Sequence, residues 1–484
     1  MGNILKYFKS YHFWIVAVFF IFIFFQTLEF LTESKYAFGL DGYYYVVQVR
    51  SYIENGKFLI PDFSLVFYFF VFLSKFGNDI VFTNKLGISL ILSFIAVPSY
   101  LLGKKISNRT GGIFLSVFII SNTLIFYFAI EYLKNLLGIM FMLFFLNEYF
   151  SILKNKMHSF IAIKLFLFAS FSLLSHKLTG ALCIFLLFVL FLYYFRKISF
   201  LFKIIGFILI FFIFLIVYQN LIFHFLDLDR FNNFDLEHLQ ISARSYWREI
   251  QPCSTFYSVE IFVYAVIPIF SILLWFYSNG YERRILFIAI FLYYLFNIPF
   301  LKFIEKDAAF RLYIVNFIPS GIVLLLGIKR LPNTIILMFS VCIFLYIIPS
   351  RNFHNNRTKI NYSELEKIVP KIAVPSNALL IAHPGFDYFY HYTTKKEVFR
   401  FLPEVEYKEK PIYRIVFGLS YDYVNKKNLY SKDINILNSE YSLMKEESWK
   451  KIHNSMPKNM YNSYNNWRNP YLHRPNFLKY RNSI

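Results

Sequence analysis

Four short stretches of this sequence combine residue types able to do acid–base or anion chemistry. The first is Gly39-Leu40-Asp41-Gly42-Tyr43-Tyr44-Tyr45, where Asp41 is a candidate base and Tyr44 a candidate substrate contact. The second is Glu131-Tyr132-Leu133-Lys134-Asn135, and the third is Ser175-His176-Lys177-Leu178-Thr179. The fourth gathers Lys302, Glu305, Lys306, Asp307 and Arg311. A carboxylate can take a proton from a hydroxyl, while Lys, His and Arg can hold an anion, and a guanidinium matches phosphate bidentately. Arg244, Tyr246, Trp247 and Arg248 add a basic-aromatic group.

Each stretch also has a plainer reading. Asp41 is placed to cap the helix that follows it. Glu131 and Lys134 are i,i+3 neighbours and can pair on one helix. His176 can anchor at a membrane boundary, and Arg311 can snorkel to the interface. Lys134 and Asn135 lead directly into an apolar run, where a charge is costly and calls for a purpose.

The elements that must position these residues are apolar. Of 484 residues, 57% are hydrophobic and 16% charged, and mean hydropathy is +0.48. That charge content is well below the quarter or so of soluble domains. Runs near the ~20 residues needed to cross a bilayer occur at 12–31, 83–103, 111–130, 133–152, 160–175, 179–195, 203–223, 259–278, 285–301, 310–328 and 332–349. The expected fold is an α-helical polytopic membrane protein of about eleven spans. Phe63–Phe76 is apolar but short, as for a re-entrant or interfacial helix.

Short loops with Lys6 and Lys9, Lys104, Lys105 and Arg109, Lys154 and Lys156, Arg196 and Lys197, Arg283 and Arg284, and Lys329 and Arg330 all fall on one side if the spans alternate. The positive-inside rule makes that side, with the N-terminus, cytoplasmic. The segment 32–82, the other three stretches and the tail then lie outside. The division expected is a transmembrane domain over 1–350 and a small mixed α/β soluble domain over 351–484, extracytoplasmic. In the tail, Asn377–Ala382 and Ile412–Leu419 read as strands and Ser363–Ile368 as a helix capped by Ser363. Tyr43, Val46, Val47 and Arg50 share one helical face, expected to lie in the interface with its aromatics at head-group level.

The net charge of +21 does not indicate a nucleic-acid partner. Residues from Arg351 onward hold 22 Lys and Arg against 12 Asp and Glu, an excess of ten, and the remainder is scattered in loops. The basic tail suits anionic membrane lipids instead. Cys183, Cys253 and Cys342 give neither a disulfide framework nor a zinc site, and no nucleotide-loop or metalloprotease motif is present.

A first span, an outer loop with an acidic residue before aromatics, and an amphipathic helix together resemble the GT-C glycosyltransferases, a superfamily that includes protein O-mannosyltransferases and aminoarabinose transferases. Asp41-Gly42-Tyr43-Tyr44-Tyr45 with Arg50 and Glu54-Asn55-Gly56 is similar to their first-loop motif. Glu131 through Gly138 resembles their second acidic turn, and Ser175 through Gly180 their His-x-Leu-Thr turn. The resemblance covers roughly residues 1–350, and the WWD-type motif of oligosaccharyltransferases is absent. It implies a polyprenyl-phosphate-linked sugar donor and a glycan, lipid or protein acceptor at the non-cytoplasmic face of the cell envelope, with inversion. Asp41 is then the base, Glu131 orients the donor or holds a divalent metal such as Mg or Mn, and Tyr44, Lys134, His176, Lys177 and Arg311 contact substrate or phosphate.

Two other classes compete. An O-antigen polymerase or ligase places outer Arg and His in one large late loop, whereas here the longest outer loop before the tail comes first. A lipid-linked sugar flippase predicts ionisable residues near mid-span and internal repeats, and spans such as 203–223 and 332–349 are nearly free of charge.

Overall fold

Most of the apolar runs fold as helices. The computed structural model describes residues 11–39, 41–77, 79–154, 159–195, 257–297, 314–347, 362–382, 385–399, 410–417, 434–437, 441–445 and 447–448. In chain order the helices are α1 (Tyr11–Thr32), α2 (Gly42–Asn55), α3 (Leu65–Ser74), α4 (Ile80–Phe94), α5 (Ala96–Ile106), α6 (Arg109–Ser121), α7 (Thr123–Glu131) and α8 (Leu133–Lys154). They continue as α9 (Ser159–Ser175), α10 (Lys177–Phe195), α11 (Tyr257–Tyr277), α12 (Gly280–Asn297), α13 (Phe317–Ile328), α14 (Asn333–Ile347), α15 (Tyr362–Ile368) and α16 (Phe386–Thr394). The strands are β1 (Leu379–Ile381), β2 (Ile412–Phe417), β3 (Ile434–Ile436) and β4 (Tyr441–Lys445).

Among the described residues, three helices are long and apolar enough to cross a membrane: Trp14–Thr32, Ile80–Ile106 and Leu133–Lys154. The bent pair α6–α7 makes a fourth if taken as one span, with a 52° turn at its break. That break is written in the sequence. Asn122 takes an extended backbone, closes α6, and accepts from the Leu124 amide at 3.0 Å to cap α7. The apolar run 203–223 lies outside the described residues.

The chain divides into two compact units. The first takes Met1–Thr32, Asp62–Phe69 and Lys85–Asn355; the second takes Glu33–Pro61, Phe70–Asn84 and Asn356–Ile484.

In the first unit α8 is the hub. Of its apolar stretch 83% is buried inside the protein, against 22% for α1. It packs against α5, α7, α9, α10 and α12, with Phe145, Tyr149 and Phe150 fully enclosed. Helix contact inside a membrane depends on close packing, so small residues matter at crossings. At the α5–α6 hairpin a Cβ on Gly103 would sit 2.5 Å from the Gly111 carbonyl oxygen, so only glycine lets these backbones meet. Glu148 of α8 and Lys164 of α9 pair at 3.7 Å, six residues from the end of one helix and five from the start of the next.

The second unit joins α2 to a small sheet and two helices. The sheet has the order β1-β2-β4-β3, with β1 parallel to β2 and the other pairs antiparallel. Leu379, Ile381 and Phe399 form a core against Ile412. The helix expected at Ser363–Ile368 begins at Tyr362, so Ser363 lies in its first turn rather than at its cap. Tyr362 is fixed there by burial and by donating to the Gly39 carbonyl at 3.0 Å.

The surface-helix expectation for α2 is also corrected. Gly42 to Val49 are all buried, and α16 covers α2. The Tyr43 ring meets Tyr362, Phe389 and Tyr392 at 4.8, 4.9 and 5.1 Å. Arg50 lies over the Tyr392 ring at 4.8 Å and donates to the Tyr392 carbonyl at 2.7 Å. Four aromatic rings and a guanidinium satisfied by backbone oxygen make a protein interior, not a head-group belt. Gly56, at φ 70°, ends α2 in the left-handed conformation that favours glycine, and its amide donates to Tyr52.

Candidate functional site

Within the first unit, two of the predicted stretches meet at the N-terminal end of α8. Glu131 is the last residue of α7 and is buried. The helix breaks at Tyr132, which leaves helical geometry (φ −132°, ψ 60°), and resumes at Leu133. Glu131 and Lys134 therefore do not share one helical face, contrary to the i,i+3 expectation. The Lys134 ammonium instead forms an ion pair with Asp62 and lies 5.1 Å from the centre of the Phe67 ring.

That position is electrostatically costly by itself. Lys134 sits in the first turn of α8, where the helix dipole already presents positive charge. Its side chain is 24% exposed and that of Asp62 15%, so water screens the pair weakly. Asp62 is held in turn, because its other oxygen accepts from the Ser64 amide at 3.2 Å. The Ser64 hydroxyl donates to the Ser175 carbonyl at 2.7 Å, tying the start of α3 to the end of α9.

The third stretch arrives by close packing. A Cβ built on Gly138 would fall 2.2 Å from Thr179 Oγ1 and 3.2 Å from His176 Cβ. Gly138 stands one turn after Lys134, so glycine there lets the α9–α10 turn press against the first turns of α8. Ser172 Oγ donates to the Gly138 carbonyl at 3.1 Å, and Thr179 Oγ1 to the His176 carbonyl at 3.0 Å. Lys177 opens α10, so it too stands at a positive helix end. The first turns of α8, with Lys134 paired to Asp62, thus pack against the turn that carries His176 and Lys177. Such an array can hold an anion and balance its charge.

Asp41 and Tyr44 belong to the second unit. Asp41 occupies the N-cap position of α2, but its side chain makes no capping hydrogen bond, so the plain capping reading does not hold. Tyr44 is buried, with its ring 5.0 Å from Tyr388 and its hydroxyl accepting from Gln48 at 3.4 Å. Gln48 also grips Ile60 in both directions, donating at 2.8 Å and accepting at 3.0 Å, which fixes the turn after α2. Burial pushes the Tyr43 phenol well above its ordinary range. Burial, with help from the nearby Arg50, pulls His391 below the usual imidazole value. Asp387 is fully buried and accepts from the Gly385 and Tyr388 amides at 2.9 and 2.7 Å.

Arg311 and the basic-aromatic group Arg244, Tyr246, Trp247 and Arg248 lie outside the described residues. Among the described residues no group of three or more His, Cys, Asp or Glu is arranged to hold a metal ion. A hard divalent cation takes about six oxygens, whereas here one of the two nearby carboxylates is engaged by Lys134. These carboxylates do not fit a divalent metal.

Asp62 and Ser64 were not among the predicted site residues. The signal was present: Pro61-Asp62-Phe63-Ser64 stands directly before an apolar run, the pattern of a helix start. Partnership with Lys134, 72 residues away, left no trace in the sequence. No protein-family model matches the chain, and no curated protein matches it in sequence.

Proposed function

We propose that this chain is an integral membrane glycosyltransferase of the GT-C type, with about eleven spans. In this reading it moves a sugar from a polyprenyl-phosphate donor to an acceptor on the non-cytoplasmic face, and the N-terminus is cytoplasmic. The observation that carries the reading is the gathering of Asp62, Glu131, Lys134, His176 and Lys177 around the start of α8. Lys134 is held against the helix dipole and weakly screened, an arrangement that suits an incoming phosphate better than it suits stability.

The chemistry asks little of the protein beyond charge placement. A phosphate leaving group departs without a general acid, so one base and a set of cations suffice. A carboxylate takes the proton from the acceptor hydroxyl, the role that the family resemblance gives Asp41. The acceptor oxygen then bonds to the sugar's anomeric carbon as the bond from that carbon to the phosphate oxygen breaks, on the opposite face, and the configuration inverts. Lys134, His176 and Lys177 receive the negative charge of the departing phosphate, a role that the family resemblance also gives Arg311. Glu131 orients the sugar hydroxyls.

The test is sugar transfer from a polyprenyl-phosphate-linked donor by the full chain in membranes. Asp41→Asn is expected to lower transfer by at least about a hundredfold, as for loss of a general base, with membrane expression unchanged. Transfer at the wild-type rate in that variant overturns the base assignment.

A further inference from the structure

The opposite end of α8 carries a second charged group that the transferase reading does not use. Lys105 of α5 donates to the Ser151 hydroxyl of α8. Lys164 of α9 pairs with Glu148 at 3.7 Å, and Glu148 also accepts from Asn147 at 3.1 Å. Glu148, Lys154 and Lys164 all lie within electrostatic reach of the Lys105 ammonium. Among the described residues, three ammonium groups thus share the Glu148 carboxylate, an excess of two positive charges. Lys154 is exposed, in the last turn of α8, with the Tyr281 ring 5.9 Å away.

The neighbouring surface is apolar and also exposed. Phe160, Ile163, Leu167, Phe171 and Leu174 recur at helical spacing and form an uncovered stripe along α9. The stripe begins beside the charges, because Lys164 lies over the Phe160 ring at 4.5 Å. A cationic group at one end of a long apolar face matches a molecule with an anionic head and hydrocarbon tails. A soluble anion explains the lysines but not the stripe.

We infer that Lys105, Lys154 and Lys164, with the exposed face of α9, form a binding site for the head group and acyl chains of an anionic phospholipid. The site rests on the membrane character of the chain and not on the transferase reading, so either can fail alone. Basic groups between helices at a membrane boundary attract anionic head groups, each lysine contributing about a fivefold gain in affinity.

Native mass spectrometry of the full chain in neutral detergent tests it, with phosphatidylglycerol or phosphatidylcholine added separately. Phosphatidylglycerol is expected to be retained in preference. Lys154→Gln, an exposed change that leaves the Glu148 pair intact, is expected to weaken retention about fivefold. Glu148→Gln removes the carboxylate paired with Lys164 and is expected to strengthen it. Equal retention of both lipids, or wild-type retention of phosphatidylglycerol by Lys154→Gln, overturns the site. Displacement of the bound lipid by inorganic phosphate also overturns it, because the lysines would then serve a soluble anion.

Discussion

The two ends of α8 place lysine in opposite circumstances. At the N-terminal end Lys134 stands against the helix dipole, half-buried, and pairs with a carboxylate 72 residues earlier. At the C-terminal end Lys154 stands with the dipole and is exposed. Nearby, Lys164 and Glu148 meet through the register of one antiparallel hairpin. The second arrangement costs little, because helix electrostatics and local packing both favour it. The first needs Asp62, the α3 start and the α9–α10 turn all in place. A charge kept where local physics opposes it calls for a functional explanation more strongly than one kept where local physics agrees.

That contrast can be broken experimentally. The largest effect is expected for Asp62→Asn, which leaves the Lys134 ammonium half-buried without its carboxylate. A loss of about 2–3 kcal/mol is expected, read as a lower melting temperature in detergent. The double change Asp62→Asn with Lys134→Met is expected to recover much of it, since no uncompensated charge remains. If single and double variants melt alike, the pair is not what holds this end together.

Gly138→Ala comes next. The added methyl meets Thr179, whose hydroxyl already bonds the His176 carbonyl, and about 1–2 kcal/mol of overpacking is expected. Thermal unfolding reads this as well, and an unchanged midpoint would mean that the α9–α10 turn yields freely. The smallest effect belongs to Lys154→Gln, expected to shift stability by no more than about 0.5 kcal/mol by the same measurement. A shift as large as that of Asp62→Asn would erase the distinction between the two ends.

Much of the helical layout was legible because its causes are local. The run 133–152 became Leu133–Lys154, whereas the run 111–130, expected as one span, divides at Asn122 through capping chemistry contained within a few residues. Asn55-Gly56 stopped α2 for the same kind of reason. The strand at Ile412 was visible from its β-branched and aromatic residues, although its pairing partners β1 and β4 were not. The surface reading of α2 failed at a particular point. Tyr43 and Arg50 share a face, as the periodicity said, but periodicity cannot tell whether lipid or protein covers that face.

The amino-acid order alone determined where most helices lie, since apolar runs and glycine stops act over a turn or two. It also brought Glu131 near Lys134 and His176 near Lys177, because neighbours in sequence cannot be far apart. Only the tertiary structure decided that Lys134 takes Asp62 as its partner, that Gly138 receives His176 and Thr179, and that α2 is buried under α16. Those are contacts between distant segments. They depend on how helices cross and which small residues let them approach, and no local preference specifies that.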